Sequence, residues 1–338
     1  MKAAIIGVGR MGRRHIQVVR DLGLELAGVC DASRESLELA GREQGVATDL
    51  LYTDARSMLE RTGAQCVVVA TTAPAHCEST CLAAEMGTKY VLCEKPLAVS
   101  LAQCDRMRAA CETAGTRLAV NHQMRFMEQY TRPREIVSSE AFGGLASVTV
   151  VGGNFGMAMN GTHYFEMFRF MTGEPAQEVT AWFSPAAVAN PRGPQFEDRA
   201  GAVRITTASG KRFYMEIGDD QGHGVKVVYS GPRGQLVVDE LKGELSLSLR
   251  EEAHRALPTT RYGMPSVETV ERIAPADAVA PSRSVLRALL DGADHPTWAD
   301  GSLAVATLIA AYVSNERGHV PVRVSAGALP EDRAFPWA

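Results

Sequence analysis

The feature that most restricts this chain is Gly7-Val8-Gly9-Arg10-Met11-Gly12, a glycine-rich turn between a short apolar run (residues 3–7) and a helix-like segment (11–22). A turn this tight needs glycine, because a side chain would hold the backbone away from whatever lies against it. The helix that follows would present unpaired N–H groups and the positive end of its dipole to an anion such as a diphosphate. Asp31 stands nineteen positions after Gly12, at the end of the next apolar run (25–30), where a carboxylate meets the hydroxyls of an adenosine ribose. Strand, glycine turn, helix and acid in this order predict a dinucleotide site lined by Gly7, Gly9, Arg10, Met11, Gly12 and Asp31. Asp31 favours NAD, since a carboxylate repels a 2′-phosphate. Arg34 could reach such a phosphate, which leaves NADP open.

The first 121 residues continue the alternation. Apolar runs at 66–70, 90–93 and 117–121 are separated by segments at 33–43, 74–86 and 100–114 with apolar residues every three to four positions. This predicts an α/β Rossmann domain, a doubly wound parallel sheet with helices on both faces, over residues 1–121. After about residue 145 the texture changes to strand-like runs at 145–151, 177–182, 202–207, 211–217, 225–229, 235–239 and 244–249, with Ala208-Ser209-Gly210 a tight turn between two of them. Helical stretches at 282–290 and 301–316 follow, while 253–280 lacks periodicity and reads as a long loop. Residues 122–338 are thus expected to form an α+β domain with one large, mostly antiparallel sheet and helices on one face.

A length of 338 residues agrees with two domains. The net charge of −4 argues against a nucleic-acid partner, and no apolar run is long enough to span a bilayer. The amino-terminal run leads into the glycine turn rather than a cleavage site, so the expected location is cytoplasmic, with no membrane partner. The seven cysteines contain no Cys-x-x-Cys pair and are odd in number, which argues against a disulfide framework or a zinc site.

Cys93-Glu94-Lys95-Pro96-Leu97 directly follows the run at 90–93. Ligands of open parallel sheets sit beyond the carboxyl ends of strands, so Lys95 should face the cofactor crevice. Here the chain resembles the Gfo/Idh/MocA family, which includes glucose–fructose oxidoreductase and inositol dehydrogenase. The resemblance covers nearly all of the chain and rests on Gly7 to Gly12 with His15, Thr71 to His76, Glu94-Lys95-Pro96, Gly161-Thr162-His163 and Gly231-Pro232-Arg233-Gly234. It implies that Lys95 bonds the reacting hydroxyl and helps to move its proton. It also implies that Thr71, Pro74, His76, Glu94 and Lys95 line the cofactor side, that no metal is needed, and that the protein assembles as a homodimer or homotetramer.

His163 occupies the position of that family's catalytic acid/base. Asn160 or Thr162 is expected to cap the helix that carries it, with Glu166 and Arg169 pairing at i and i+3. Relatives often carry an aspartate four residues before this histidine, whereas this chain has Met159, so substrate identity does not transfer from them. Asn154 or Asn160 could replace the lost polar contact, or could simply turn the backbone. His122 and Arg125, where the chain enters the second domain, are further substrate candidates. The carboxylates of Asp219 and Asp220 with His223 could mimic a metal site, but a solvated turn suits them better. The implied activity is hydride transfer between a nicotinamide and a secondary alcohol or ketone of a sugar, cyclitol or sugar nucleotide. The alternatives are an NAD-dependent redox-cycling glycosidase or eliminase, and a non-catalytic dinucleotide-dependent regulator.

Overall fold

A computed structural model describes residues 1–185, 190–261, 263–274 and 277–338. The chain forms two compact units. One comprises Met1–Gln123, Ala278–Val305 and Pro330–Ala338; the other comprises Met124–Asp277 and Ala306–Leu329.

The first unit runs β1 (Lys2–Ile6), α1 (Arg10–Asp21), β2 (Glu25–Cys30), α2 (Arg34–Gln44), β3 (Leu51–Tyr52), α3 (Ala55–Thr62), β4 (Cys66–Val69), α4 (His76–Glu85), β5 (Tyr90–Cys93), α5 (Leu101–Ala114) and β6 (Arg117–Val120). Its strands lie in the order β3-β2-β1-β4-β5-β6, all parallel. The central strands are continuous apolar runs because helices bury both faces: every residue of β4 is buried. Ser33, Asp54 and Ser100 cap α2, α3 and α5 by accepting the N–H groups of Ser36, Ser57 and Gln103. All seven cysteines are free thiols, and burial pushes that of Cys66 up to about 12.

The chain comes back to this unit after building the other, which a single cut after residue 121 does not describe. Helix α8 (Val279–Asp291) packs against α1, where Arg283 meets Asp21 at 3.1 Å. The carboxyl-terminal residues then lie along the segment that follows Lys95. Phe335 N–H donates to Val99 O at 2.9 Å, Trp337 Nε1 donates to Ala98 O at 3.2 Å, and Glu331 O accepts from Ala102 N–H at 2.9 Å.

The second unit holds α6 (Glu128–Val137), β7 (Ser147–Gly153), α7 (Thr162–Thr172), β8 (Glu178–Phe183), β9 (Gly201–Thr206), β10 (Arg212–Gly218), β11 (Lys226–Ser230), β12 (Gly234–Asp239), β13 (Glu244–Arg250), β14 (Ser266–Arg272), the later part of α9 (Trp298–Glu316) and β15 (Val322–Arg323). Among the described residues the sheet order is β14-β13-β12-β11-β7-β10-β9-β8-β15, with β7 and β10 parallel and all other pairs antiparallel. The β9–β10 turn closes through Gly210, whose φ of +83° suits only glycine there. One face of the sheet packs on α7, with Phe165 and Phe168 against Phe213 of β10 at ring distances of 6.0 and 5.4 Å. Glu240 ties two helices to the sheet by accepting from Tyr130 of α6 and Tyr164 of α7, at 2.5 and 2.8 Å.

The stretch 253–280 is not only loop. It contains β14, a full strand paired to β13. Nearly all of β14 is exposed, and Val267 and Val270 point to opposite faces, so no alternation marks it. Tyr262, Pro275 and Ala276 of that stretch lie outside the described residues. Among the described residues no helix is long and apolar enough to cross a membrane.

Candidate active site

In the first unit the site begins at the carboxyl end of β1. Gly7 has φ +91°, and a Cβ there would meet the Ala70 carbonyl carbon at 2.6 Å. A Cβ on Gly12 would land on the Gly7 carbonyl oxygen, whereas one on Gly9 would meet nothing within 4 Å. Two of the glycines therefore let the turn pack against β4 and α1. The third borders open space. Gly9 is also the N-cap of α1, which has no capping side chain and no acidic residue in its first turn. The N–H groups and dipole of that end suit a diphosphate.

Asp31 follows β2. Its Oδ2 accepts the Val8 N–H at 2.8 Å, and its Oδ1 accepts the Ser33 N–H at 2.9 Å. Two backbone donors fix the carboxylate beside the glycine turn, while its remaining lone pairs can take ribose hydroxyls. Arg34 opens α2 and is exposed. These residues fit a dinucleotide.

The loops after β4 and β5 complete this end. Thr71 O accepts from His76 Nε2, or faces its lone pair, at 3.1 Å, and Pro96 O lies 2.9 Å from His76 Nδ1. His76 thus joins the two loops. Burial lowers its pKa, against the opposite pull of the two carbonyls and of Glu94. Pro74 is exposed in the single turn Ala73–Ala75. Lys95 is half-buried at the carboxyl end of β5, between buried Glu94 and buried Pro96. Glu94 is within 2.7 Å of His15 Nε2 and 2.8 Å of Asn121 Nδ2 through Oε1, and its Oε2 accepts the Lys95 N–H at 3.3 Å. Burial alone would raise its pKa, yet the hydrogen bond and electrostatic attraction of His15, then the charge of Lys95 and the hydrogen bond from Asn121, hold it down to about 2. The Glu94 and His76 side chains are therefore engaged by the protein itself. His122, just beyond β6, is buried.

In the second unit His163 lies in the first turn of α7 and is buried. The expected caps do not form. A π-type turn, Met157–Gly161, runs straight into α7, so the start of the helix needs no cap of its own. Thr162 Oγ1 instead donates to Ala158 O, and Asn160 Nδ2 donates to Phe155 O. The Asn154 carboxamide accepts the Gly156 N–H at 3.0 Å. Both asparagines turn the backbone here. The negative group at the head of the turn is Asp198, which accepts from Ala158 N–H at 2.7 Å and from Met159 N–H at 2.8 Å. Sequence reading missed it because it comes from a loop some forty positions away, with no local pattern to mark it. Glu166 pairs with Arg169 at 2.7 Å as expected and also accepts from Arg125 Nε at 2.7 Å. Arg125 further lies over the Phe170 ring at 5.4 Å.

The sequence pattern described as "Oxidoreductase family, NAD-binding Rossmann fold", that of Gfo/Idh/MocA proteins, matches residues 1–122. Inositol 2-dehydrogenase 2 of Saccharopolyspora erythraea is 30% identical over 280 residues, covering 78% of this chain and 76% of that protein. The chain belongs to the Gfo/Idh/MocA oxidoreductase family. D-apiose dehydrogenase of Paraburkholderia graminis, another relative, is 41% identical over 126 residues, or 37% of this chain and only 33% of that protein. The fold is shared with an oxidoreductase from Agrobacterium radiobacter crystallised with NAD+, L-tartaric acid and magnesium. That structure aligns with a TM-score of 0.79 at 20% identity, over 96% of this chain and 98% of the other.

Proposed function

We propose that this protein is an NAD-dependent dehydrogenase or reductase acting on a CH–OH group of a sugar, cyclitol or sugar nucleotide. The observation that carries the reading is the placing of Lys95. It ends β5 on the same carboxyl edge of the sheet as the glycine turn, with only β4 between β1 and β5. Bound NAD supplies the hydride acceptor or, when reduced, the hydride. The protein supplies orientation and proton handling. The α1 end and Asp31 hold the dinucleotide, and the Lys95 ammonium bonds the reacting oxygen and passes its proton. His163 serves as the second proton-handling residue. The polyol class is supported by the names of two relatives, an inositol 2-dehydrogenase and a D-apiose dehydrogenase.

The test is NADH formation from NAD+ with a panel of inositols, aldopentoses and sugar nucleotides. Turnover is expected with at least one polyol and is lost in Lys95→Ala. A protein that binds NAD tightly but releases no NADH with any of them would sink the dehydrogenase reading and favour internal redox cycling.

A further inference from the structure

Among the described residues the second unit's sheet ends differently at its two sides. One edge is β15, with 2 residues, and the other is β14, with 7. A very short edge strand offers a neighbouring chain few unpaired backbone groups, whereas a long regular one offers many. The β13–β14 ladder keeps one register from Arg250 opposite Ser266 to Glu244 opposite Arg272. Neither proline, lysine nor a bulge interrupts β14, and both of its valines are exposed. Which backbone groups face outward follows from the ladder. Ile273 N–H donates to Gly243 O at 2.8 Å, and Glu251 N–H donates to Pro265 O at 3.0 Å. Hydrogen-bonded pairs alternate along antiparallel strands, so the odd-numbered residues of β14 bond to β13. The N–H and C=O groups of Ser266, Glu268, Val270 and Arg272 therefore point out of the open edge. Their side chains share one face of the sheet. There Glu268 accepts the hydroxyls of Ser248 and Ser266 at 2.6 and 2.7 Å, and the exposed Arg272 guanidinium lies 3.6 Å from Glu244.

We propose that β14 pairs antiparallel with β14 of a second copy of this chain, about a two-fold axis at Val270. The order of side chains selects that register. A second copy also offers only its even-numbered residues, so the axis can fall on any position from 268 to 272. An axis at Glu268 or Arg272 sets that charge against its own copy. An axis at Thr269 or Glu271 sets Val270 opposite Glu268 or Arg272, a valine against a charge. Only an axis at Val270 brings Glu268 opposite Arg272, once on each side of it, with Val270 facing Val270 between them. Opposite charges directly across a ladder stabilise it, and like charges weaken it. In this register each facing pair exchanges both of its backbone hydrogen bonds, so the outward groups of Glu268, Val270 and Arg272 all gain partners. The backbone supplies the attraction and the side chains choose the partner. The contact uses the same patch on both chains and so closes at two copies.

The test reads mass and proximity on the full chain. Glu268→Arg and Arg272→Glu each set like charges opposite one another on both sides of the axis. By light scattering, each should have half the mass of the wild type. The variant carrying both changes exchanges the two charges and should regain the full mass. Both positions are exposed, so the fold tolerates the changes. A short bis-methanethiosulfonate linker then checks the register. Val270→Cys meets its own copy on the axis and should give a covalent dimer. Val267→Cys, also exposed, is held six positions along the strand from its own copy, about 20 Å, and should not link. The wild type, with its seven cysteines, is the blank. An unchanged mass in either single charge variant, no recovery in the double one, or a Val270→Cys that links no better than Val267→Cys would overturn the proposal. A wild-type mass of one chain would overturn it too, and would leave the edge to an extended segment of a different protein.

Discussion

The carboxylate of Asp31 accepts the backbone N–H of Val8, so the acid at the end of β2 and the glycine turn after β1 are held as one piece. Removing the carboxylate then disturbs both the ribose contact and the turn beside it. NAD(H) should bind at least tenfold more tightly than NADP(H), a gap of about 1.4 kcal/mol. Asp31→Ala should abolish that preference, mainly by weakening NAD. Titrating nicotinamide fluorescence with both cofactors measures it, and a wild-type preference for NADP would shift the role to Arg34.

The three glycines of the turn should behave differently. Gly12→Ala drives a Cβ into the Gly7 carbonyl and should destabilise the fold by about 1–3 kcal/mol. Gly7→Ala adds the strain of a positive φ to a backbone clash and should be at least as harmful. Gly9 has φ −62° and open space before it, so Gly9→Ala should melt within a few degrees of the wild type yet bind NAD more weakly. Thermal unfolding and cofactor titration on the three variants separate packing from ligand contact.

Lys95→Ala and His163→Ala should each fold and still bind NAD, since neither belongs to the glycine turn. Each should lose on the order of 100- to 10,000-fold in rate. If the two serve one proton path, the double variant loses little more than the worse single one. Near-normal turnover of His163→Ala with cofactor binding intact would leave proton transfer to Lys95 alone or to His122.

Glu94 gives the fold an acid sensitivity. Its folded pKa of about 2 lies below the ordinary carboxylate value of 4.5, so the native state holds the charged form better than the unfolded chain does. The resulting stability is complete above 4.5 and drains away as pH falls from there towards 2. Urea midpoints should drop more steeply over that window in the wild type than in Glu94→Gln. Parallel curves would remove Glu94 from the account.

The outward face of the second unit's sheet carries Trp182, Tyr214 and Val270, at 47%, 36% and 65% exposure. Large apolar side chains on one broad sheet face call for a cover. A homodimer or homotetramer is expected at micromolar concentration. Light scattering that returns the 36.3 kDa mass of one chain would rule this out.

Much of this architecture is legible in the order of residues. The glycine turn, the buried parallel strands and the Lys95 loop rest on local patterns, because a tight turn, a doubly covered strand and a strand end each leave a signature within a few positions. Where the determinant is distant, the sequence is silent. Asp198 does the work that Asn160 or Thr162 was expected to do, and nothing near residue 160 announces a partner near residue 200. The two-residue strand β3 is too short to show a period. Strand β14 is exposed on both sides, so its backbone pairing is invisible to a reading based on burial.

The contacts that Glu331, Phe335 and Trp337 make with the segment after Lys95 bear on the order in which the molecule can be made. A ribosome releases the glycine turn, Asp31 and Lys95 within the first third of the chain, but the first unit also needs α8 and residues 330–338. Vectorial synthesis therefore cannot finish this unit early, as it can for a contiguous amino-terminal domain. The loop that carries Lys95 receives its last supports only when Trp337 has left the exit tunnel, after every described strand of the second unit's sheet has already emerged.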